Sequence, residues 1–172
     1  MAYIFLAGIH GVGKSTLANK LKKSLDINTF SVSDLIRKSG KSLDTITKNT
    51  TDISHNQELW KNELIKLNKR GSILLLDGHF CLLDINKNIF CLPFSTFKDT
   101  HMTKIILVEN DPKITRERLL NRDNCDYSIE LLEKFQDYEK QQAIKYSQEN
   151  DLKIFFYNQD QLYSELLDFI IS

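Results

Sequence analysis

Gly8-Ile9-His10-Gly11-Val12-Gly13-Lys14-Ser15 decides how this chain is read. The eight residues fit G-x-x-x-x-G-K-[ST] in full. Gly8 and Gly13 open backbone angles closed to residues with a Cβ and let the main chain approach an anion closely. The loop's N–H groups then point inward, and the helix that follows offers its positive end. Lys14 supplies a mobile positive charge for the β- and γ-phosphates of a nucleoside triphosphate, and the Ser15 hydroxyl supplies a ligand for Mg²⁺. The expectation is that Gly8, His10, Gly11, Val12, Gly13, Lys14, Ser15 and Thr16 together hold ATP. His10 either contacts phosphate or is a variable loop position.

The surroundings match the motif. An apolar run, Tyr3–Ala7, precedes it directly, and an amphipathic segment follows, with Leu17, Leu21 and Leu25 at helical spacing. This is the strand, loop and helix setting that the motif requires. The first residues do not read as a signal peptide, because the basic start is missing and the apolar run is too short.

The rest of the chain alternates in the same way. Strands are expected at Asn28–Val32, Ile73–Leu76, Lys104–Val108 and Ile154–Tyr157. Helices are expected over Lys14–Leu25, Ser54–Arg70 (ended by Gly71), Pro112–Leu120, Ser128–Glu149 and Asp160–Ile171. Ser33–Lys38 reads as a helical turn capped by Ser33 or Asp34. The 128–149 helix would bury a face carrying Leu131, Phe135 and Tyr138. Unbroken apolar runs suit strands covered on both faces. Alternating strands and helices imply a parallel sheet with helices on both sides. The fold class expected is therefore a three-layer α/β domain with five parallel strands. Ser39–Asn56 and Gly78–Thr100 show no periodicity and read as functional loops.

The chain has 172 residues, which suits a single domain. With 41% hydrophobic residues it can build a core without disulfides or structural metal. The formal net charge is zero, which gives no support to a polyanion-binding surface. No stretch approaches the apolar length that spans a bilayer. A nucleic-acid or protein partner is not indicated. Cys81, Cys91 and Cys125 are far apart in sequence and form no CxxC pair, so they read as reduced thiols in a cytoplasmic protein.

Outside the phosphate loop, Asp77 closes the third apolar run. Sites in parallel sheets form at the carboxyl ends of strands, so Asp77 is expected beside the loop, where a carboxylate can hold Mg²⁺. His79 either orients a nucleotide or satisfies loop backbone. Arg116, Arg118 and Arg122 cluster after the fourth strand. Arginines stabilise the charge spread over a transferring phosphoryl group. Their spacing does not place all three on one helix face. Arg118 and Arg122 are the candidates, and Arg116 is not.

These residues resemble nucleoside monophosphate kinases, most closely the archaeal-type adenylate kinases and their eukaryotic nuclear relatives. The resemblance runs through Gly8–Ser15, Leu76-Asp77-Gly78-His79, Leu92-Pro93, Ile105–Glu109, the Arg116–Asp123 region and Ile154–Asn158. It implies strand order 2-3-1-4-5. It also implies an acceptor-side segment at about 33–70 and a lid at about 116–127. Ser31-Val32-Ser33-Asp34-Leu35-Ile36-Arg37 resembles the family's Ser-x-Gly-Asp-x-x-Arg, which implies that Asp34 and Arg37 face the acceptor and that Arg37 binds its phosphate. Ser33 departs from the family's glycine. Cys81 stands where larger adenylate kinases have an arginine, and Ser39–Asn56 contains no arginine. The activity implied is phosphoryl transfer from ATP to a nucleoside monophosphate such as AMP. The alternatives are another acceptor (a nucleoside, a metabolite or a nucleic-acid end) or an ATP-hydrolysing switch acting on a macromolecule.

Overall fold

The computed structural model describes residues 2–38, 60–64, 67, 73–84 and 86–172. Strand β1 is Tyr3–Ala7, helix α1 Lys14–Ser24, strand β2 Ile27–Ser31 and helix α2 Val32–Lys38. After a helical stretch at residues 60–64 come strands β3 (Ile73–Asp77), β4 (Cys81–Leu83) and β5 (Ile89–Cys91). A 3₁₀ turn at Phe94–Phe97 leads to strand β6 (Met102–Val108). Helices α3 (Pro112–Asp123) and α4 (Ile129–Glu149), strand β7 (Lys153–Tyr157) and helix α5 (Tyr163–Ile171) complete the chain.

Five strands form one parallel sheet in the order β2-β3-β1-β6-β7. Numbered among themselves, they run 2-3-1-4-5, the order that the family resemblance implies. Every residue of β1 is buried, which is why its five positions are apolar without alternation. The chain steps one way from β1 to β2 and the other way from β6 to β7. Right-handed crossovers therefore put α1 and the α3–α4 pair on opposite faces. Helix α5 joins α1 on its face: the Tyr163 hydroxyl donates to Ser24 Oγ at 3.0 Å, and Lys20 Nζ lies 3.8 Å from the Tyr163 ring centre.

Local starts and stops follow side-chain chemistry. Asp111 caps α3 by accepting from the Lys113 N–H at 2.8 Å, with Pro112 in the first turn. Ser128 caps α4 by accepting from the Leu131 N–H at 3.1 Å. The cap of α2 differs from expectation. Ser31, the last extended residue of β2, accepts from the Asp34 N–H at 3.0 Å, while Ser33 and Asp34 already lie inside the helix. A capping residue must keep non-helical angles, and only Ser31 does so here.

Two further expectations are corrected. The described residues of Gly78–Thr100 are structured: β4 and β5 pair antiparallel, and Pro93 opens the 3₁₀ turn. On α4 the buried face carries Leu132, Phe135, Glu139, Ala143 and Tyr146, while Tyr138 is exposed. Most of the expected 54–70 helix and its Gly71 stop lie outside the described residues, as does all of Ser39–Asn56. Within that helix Trp60 and Leu64 are described and buried in the core.

An aromatic cluster fixes what surrounds β1. Phe80 sits 5.1 Å from Phe5, 5.0 Å from Phe97 and 5.6 Å from Tyr146, ring centre to ring centre. Edge and tilted contacts of this kind add about 0.5–1.5 kcal/mol each beyond burial. They anchor the turn after β3 against α4.

Candidate functional site

The site assembles at the carboxyl end of β1. Gly13 occupies the position before α1 with φ 111° and ψ 15°, a left-handed conformation that L side chains rarely adopt. Gly8 has φ 143°, and a Cβ there would stand 2.7 Å from the Val108 carbonyl oxygen. The loop therefore packs directly against the end of β6. On its other side Leu119 of α3 fills the space that a side chain at Gly11 would need. Ser15 and Thr16 are exposed in the first turn of α1.

Lys14 is buried and well partnered. Its ammonium donates to the carbonyls of Gly8 at 2.5 Å and Ile9 at 3.2 Å, and lies 3.6 Å from Asp77 Oδ1. Burial pulls its pKa below the usual lysine value, while Asp77 and Glu139 hold it up. Asp77 ends β3 in register with Leu6 on one side and Ser31 on the other. Burial raises its pKa, Lys14 opposes that, and the Asp34 carboxylate adds to it. The sheet thus brings Lys14 and Asp77 together, with Asp34 within electrostatic reach.

His79 and His10 pack ring on ring, 4.1 Å between centres. His79 Nδ1 lies 2.7 Å from the Gly8 carbonyl oxygen, which assigns that nitrogen as the protonated donor. Burial and the neighbouring Lys14 hold the His79 imidazole well below its usual pKa. His10 keeps an exposed edge, yet withdrawal of its ring from water and the Lys14 charge lower it to about 4. Both imidazoles are neutral at pH 7.

Sequence reading missed Glu139. This carboxylate, 1% exposed, comes from the middle of α4. Its Oε1 accepts from the N–H groups of Gly8 at 3.1 Å and Phe80 at 2.9 Å, and its Oε2 from Phe80 at 3.0 Å and Cys81 at 2.6 Å. Burial pushes its pKa up to about 7, against the pull of these donors and Lys14. The readable signal was a glutamate on the apolar stripe of a helix.

The arginines divide. Arg118 Nη1 donates to the Val12 carbonyl at 3.1 Å and lies 3.0 Å from where a Gly13 side chain would begin, so it touches the loop itself. Arg122 forms a two-pronged pair with its neighbour Asp123, and its charge reaches Lys14 and His10. Arg116 is tied to Asp126 through two bonds, at 2.7 and 2.8 Å. Arg37 pairs with Asp34 at 2.7 Å, both well exposed. The lid region expected at 116–127 consists of the end of α3, the left-handed Asn124 that stops it, and the link to α4.

Beside the loop, an open cavity of about 690 Å³ lies at the carboxyl ends of β6 and β7. Its lining is largely acidic, with Glu109, Asp111, Glu133, Asp137 and Asp160 against the single cation Lys140, which pairs with Glu109 at 3.0 Å, and it includes the carboxamides of Asn110, Gln136, Asn158 and Gln159. Asn110 Nδ2 donates to the Val12 carbonyl at 3.3 Å, which joins this cavity to the loop.

Among the described residues no helix is long and apolar enough to cross a membrane, and no group of three or more His, Cys, Asp or Glu residues is placed to hold a metal ion. A magnesium ion held with few protein oxygens and completed by phosphate and water fits such a donor set. Ser15 and Asp77 offer one hydroxyl and one carboxylate.

A family model described as "AAA domain" matches residues 7–136. A crystal structure of an uncharacterised protein from Eubacterium ventriosum shares the fold, with a TM-score of 0.52 at 14% identity, covering 100% of this chain and 99% of that one. No curated protein matches the chain.

Proposed function

We propose a phosphotransferase reading from one premise: the chain belongs to the AAA domain family, a P-loop family that includes kinases. The reaction we infer is transfer of the γ-phosphoryl group of ATP to a nucleoside monophosphate such as AMP. The observation that carries it is the loop of residues 8–13. It turns through a left-handed Gly13 into α1, with Lys14 beneath it and Asp77 at the next strand end.

In this reading the loop amides and the amino end of α1 bind the polyphosphate. Lys14 exchanges its carbonyl partners for β- and γ-phosphate oxygens. Ser15 and Asp77 hold Mg²⁺, which when bound neutralises phosphate charge. Arg118, already on the loop, moves onto the transferring group, and Arg122 adds its charge from the end of α3. The lid would be residues 116–127, closing to exclude water. Asp34 and Arg37 bind the acceptor, Arg37 releasing Asp34 for the acceptor's phosphate, within a side formed by about 33–70. A monophosphate is already a nucleophile, so positioning and electrostatics supply the rate. The acidic cavity beside Val12 repels phosphates and suits the uncharged base of the donor.

An acceptor screen tests the reading. ADP formation from ATP that requires one nucleoside monophosphate supports it. Stimulation only by a hydroxyl-bearing acceptor assigns a different kinase, for which Asp34 or Asp77 would serve as base. Slow ATP loss altered only by a macromolecule assigns a switch instead.

A further inference from the structure

We propose that Cys81 and Cys91 form a thiol–disulfide site whose oxidation is communicated to the phosphate loop through Glu139. The two residues face each other across the β4–β5 hairpin, with sulfurs 3.0 Å apart. The parity of the hairpin explains this closeness. The Leu92 N–H donates to the Phe80 carbonyl, and the Asp84 N–H donates to the Asn88 carbonyl. Hydrogen-bonded pairs alternate along an antiparallel ladder, so Cys81 and Cys91 occupy a non-hydrogen-bonded pair. Such pairs bring Cα atoms to about 4.5 Å, inside the range of roughly 4.4–6.8 Å that a disulfide spans.

The same parity turns the Cys81 N–H away from β5. It meets Glu139 Oε2 at 2.6 Å instead, and the same carboxylate holds the Gly8 N–H. The cysteine pair and the first residue of the phosphate loop therefore share one anchor.

The two thiols have different exposure. Cys81 is fully buried, while Cys91 is half-buried and meets solvent. With a peroxide as oxidant, Cys91 sulfur attacks one peroxide oxygen and the O–O bond breaks. Cys91 becomes a sulfenic acid and one water leaves. Cys81 sulfur then attacks Cys91 sulfur. The S–O bond breaks, and the hydroxyl departs with the Cys81 proton as a second water. Two thiols and one hydrogen peroxide give one disulfide and two waters; the sulfurs lose two electrons and the peroxide gains them. Cys125 lies between α3 and α4, outside the hairpin, and serves as an internal control. A disulfide prefers Cα atoms about 5.5–6 Å apart, so bonding the sulfurs of a pair at the short end of the range spreads β4 from β5 and shifts the Cys81 N–H on Glu139. That loosens the grip of Glu139 on the Gly8 amide.

The experiment treats the full chain with hydrogen peroxide and maps its peptides without reductant. We expect one cross-link between the peptides containing Cys81 and Cys91, with loss of two hydrogen atoms, reversal by dithiothreitol, and Cys125 still open to alkylation. Separate accumulation of sulfinic acid on Cys91, or a cross-link involving Cys125, overturns the site. Hydrogen exchange reads the communication. The Gly8 amide should exchange several-fold faster after oxidation of the natural protein and stay unchanged in peroxide-treated Cys91→Ser. A disulfide that leaves Gly8 exchange unaltered overturns the link through Glu139. Neither readout uses a nucleotide, so both stand apart from the phosphotransferase reading.

Discussion

Glu139 Oε1 accepts the Gly8 amide at 3.1 Å across 131 positions of sequence. One buried carboxylate thereby fixes the opening of the phosphate loop and, through Phe80 and Cys81, the turn that follows Asp77. The two walls of the site share a single support from α4. A buried charge of this kind is tolerable because donors surround it on both oxygens.

Removing that support should be costly. A buried donor left without an acceptor costs about 1–3 kcal/mol. Glu139→Ala orphans three N–H groups, and Glu139→Gln turns an amide donor toward at least one of them. We expect both variants to lose stability in urea unfolding, Glu139→Ala the more. A loss within about 0.5 kcal/mol, the scale of ordinary surface substitutions, would show that Glu139 does not anchor the loop.

The two histidines make a prediction about pH. His79 lies well below its unfolded value of 6.5, and His10 is lowered to about 4. Below pH 6.5 the unfolded chain binds more protons at these groups, so their contribution is complete above 6.5 and is lost as pH falls. Glu139 has the opposite sign. Its folded value of about 7 exceeds the unfolded 4.5, so that contribution favours the fold at low pH and fades as pH rises from about 4.5 to 7. Comparing variants separates them. The stability of the natural protein relative to His79→Gln should fall between pH 6.5 and pH 4.5, while that relative to Glu139→Ala should rise. Denaturant midpoints at the two pH values provide the measurement, and a gap that moves the other way refutes the assignment.

Arginine substitutions should split kinetically. Arg118 touches the loop, so Arg118→Ala is expected to lower kcat by at least tenfold, about 1.4 kcal/mol in the barrier, with little change in stability. Arg37 is exposed and pairs only with Asp34 among the bonds described. Arg37→Ala should raise the KM of the acceptor far more than that of ATP. Steady-state kinetics with each substrate varied in turn will check both, and equal effects of Arg37→Ala on the two KM values would remove it from the acceptor side.

The fold was legible where local pattern and tertiary demand agree. Tyr3–Ala7 and Ile73–Leu76 are unbroken apolar runs because these central parallel strands are covered on both faces, and Ile154–Tyr157 on the sheet edge is apolar though only partly buried. The phosphate loop was legible because backbone geometry restricts its residue types. The hairpin was not, since three-residue strands carry too little alternation to stand out. Glu139 was missed through phase. Placing the α4 face on Leu131 and Tyr138 rotates the helix by one residue and moves Glu139 out of the core. The buried stripe at 132, 135, 139, 143 and 146 has the same helical spacing, with an acid in its centre. The cysteine pair depends on hairpin register, which sequence distance does not reveal.

The most direct measurement is calorimetric titration of magnesium–ATP into the natural protein and into Lys14→Ala. We expect saturable one-to-one binding by the natural chain and none by the variant. The variant should keep its circular dichroism and cooperative unfolding, since Lys14 touches loop carbonyls and Asp77 rather than the apolar core. Equal affinity in the two proteins, or no affinity in the natural one for any magnesium–triphosphate, would contradict the assignment of residues 8–15 as the polyphosphate grip.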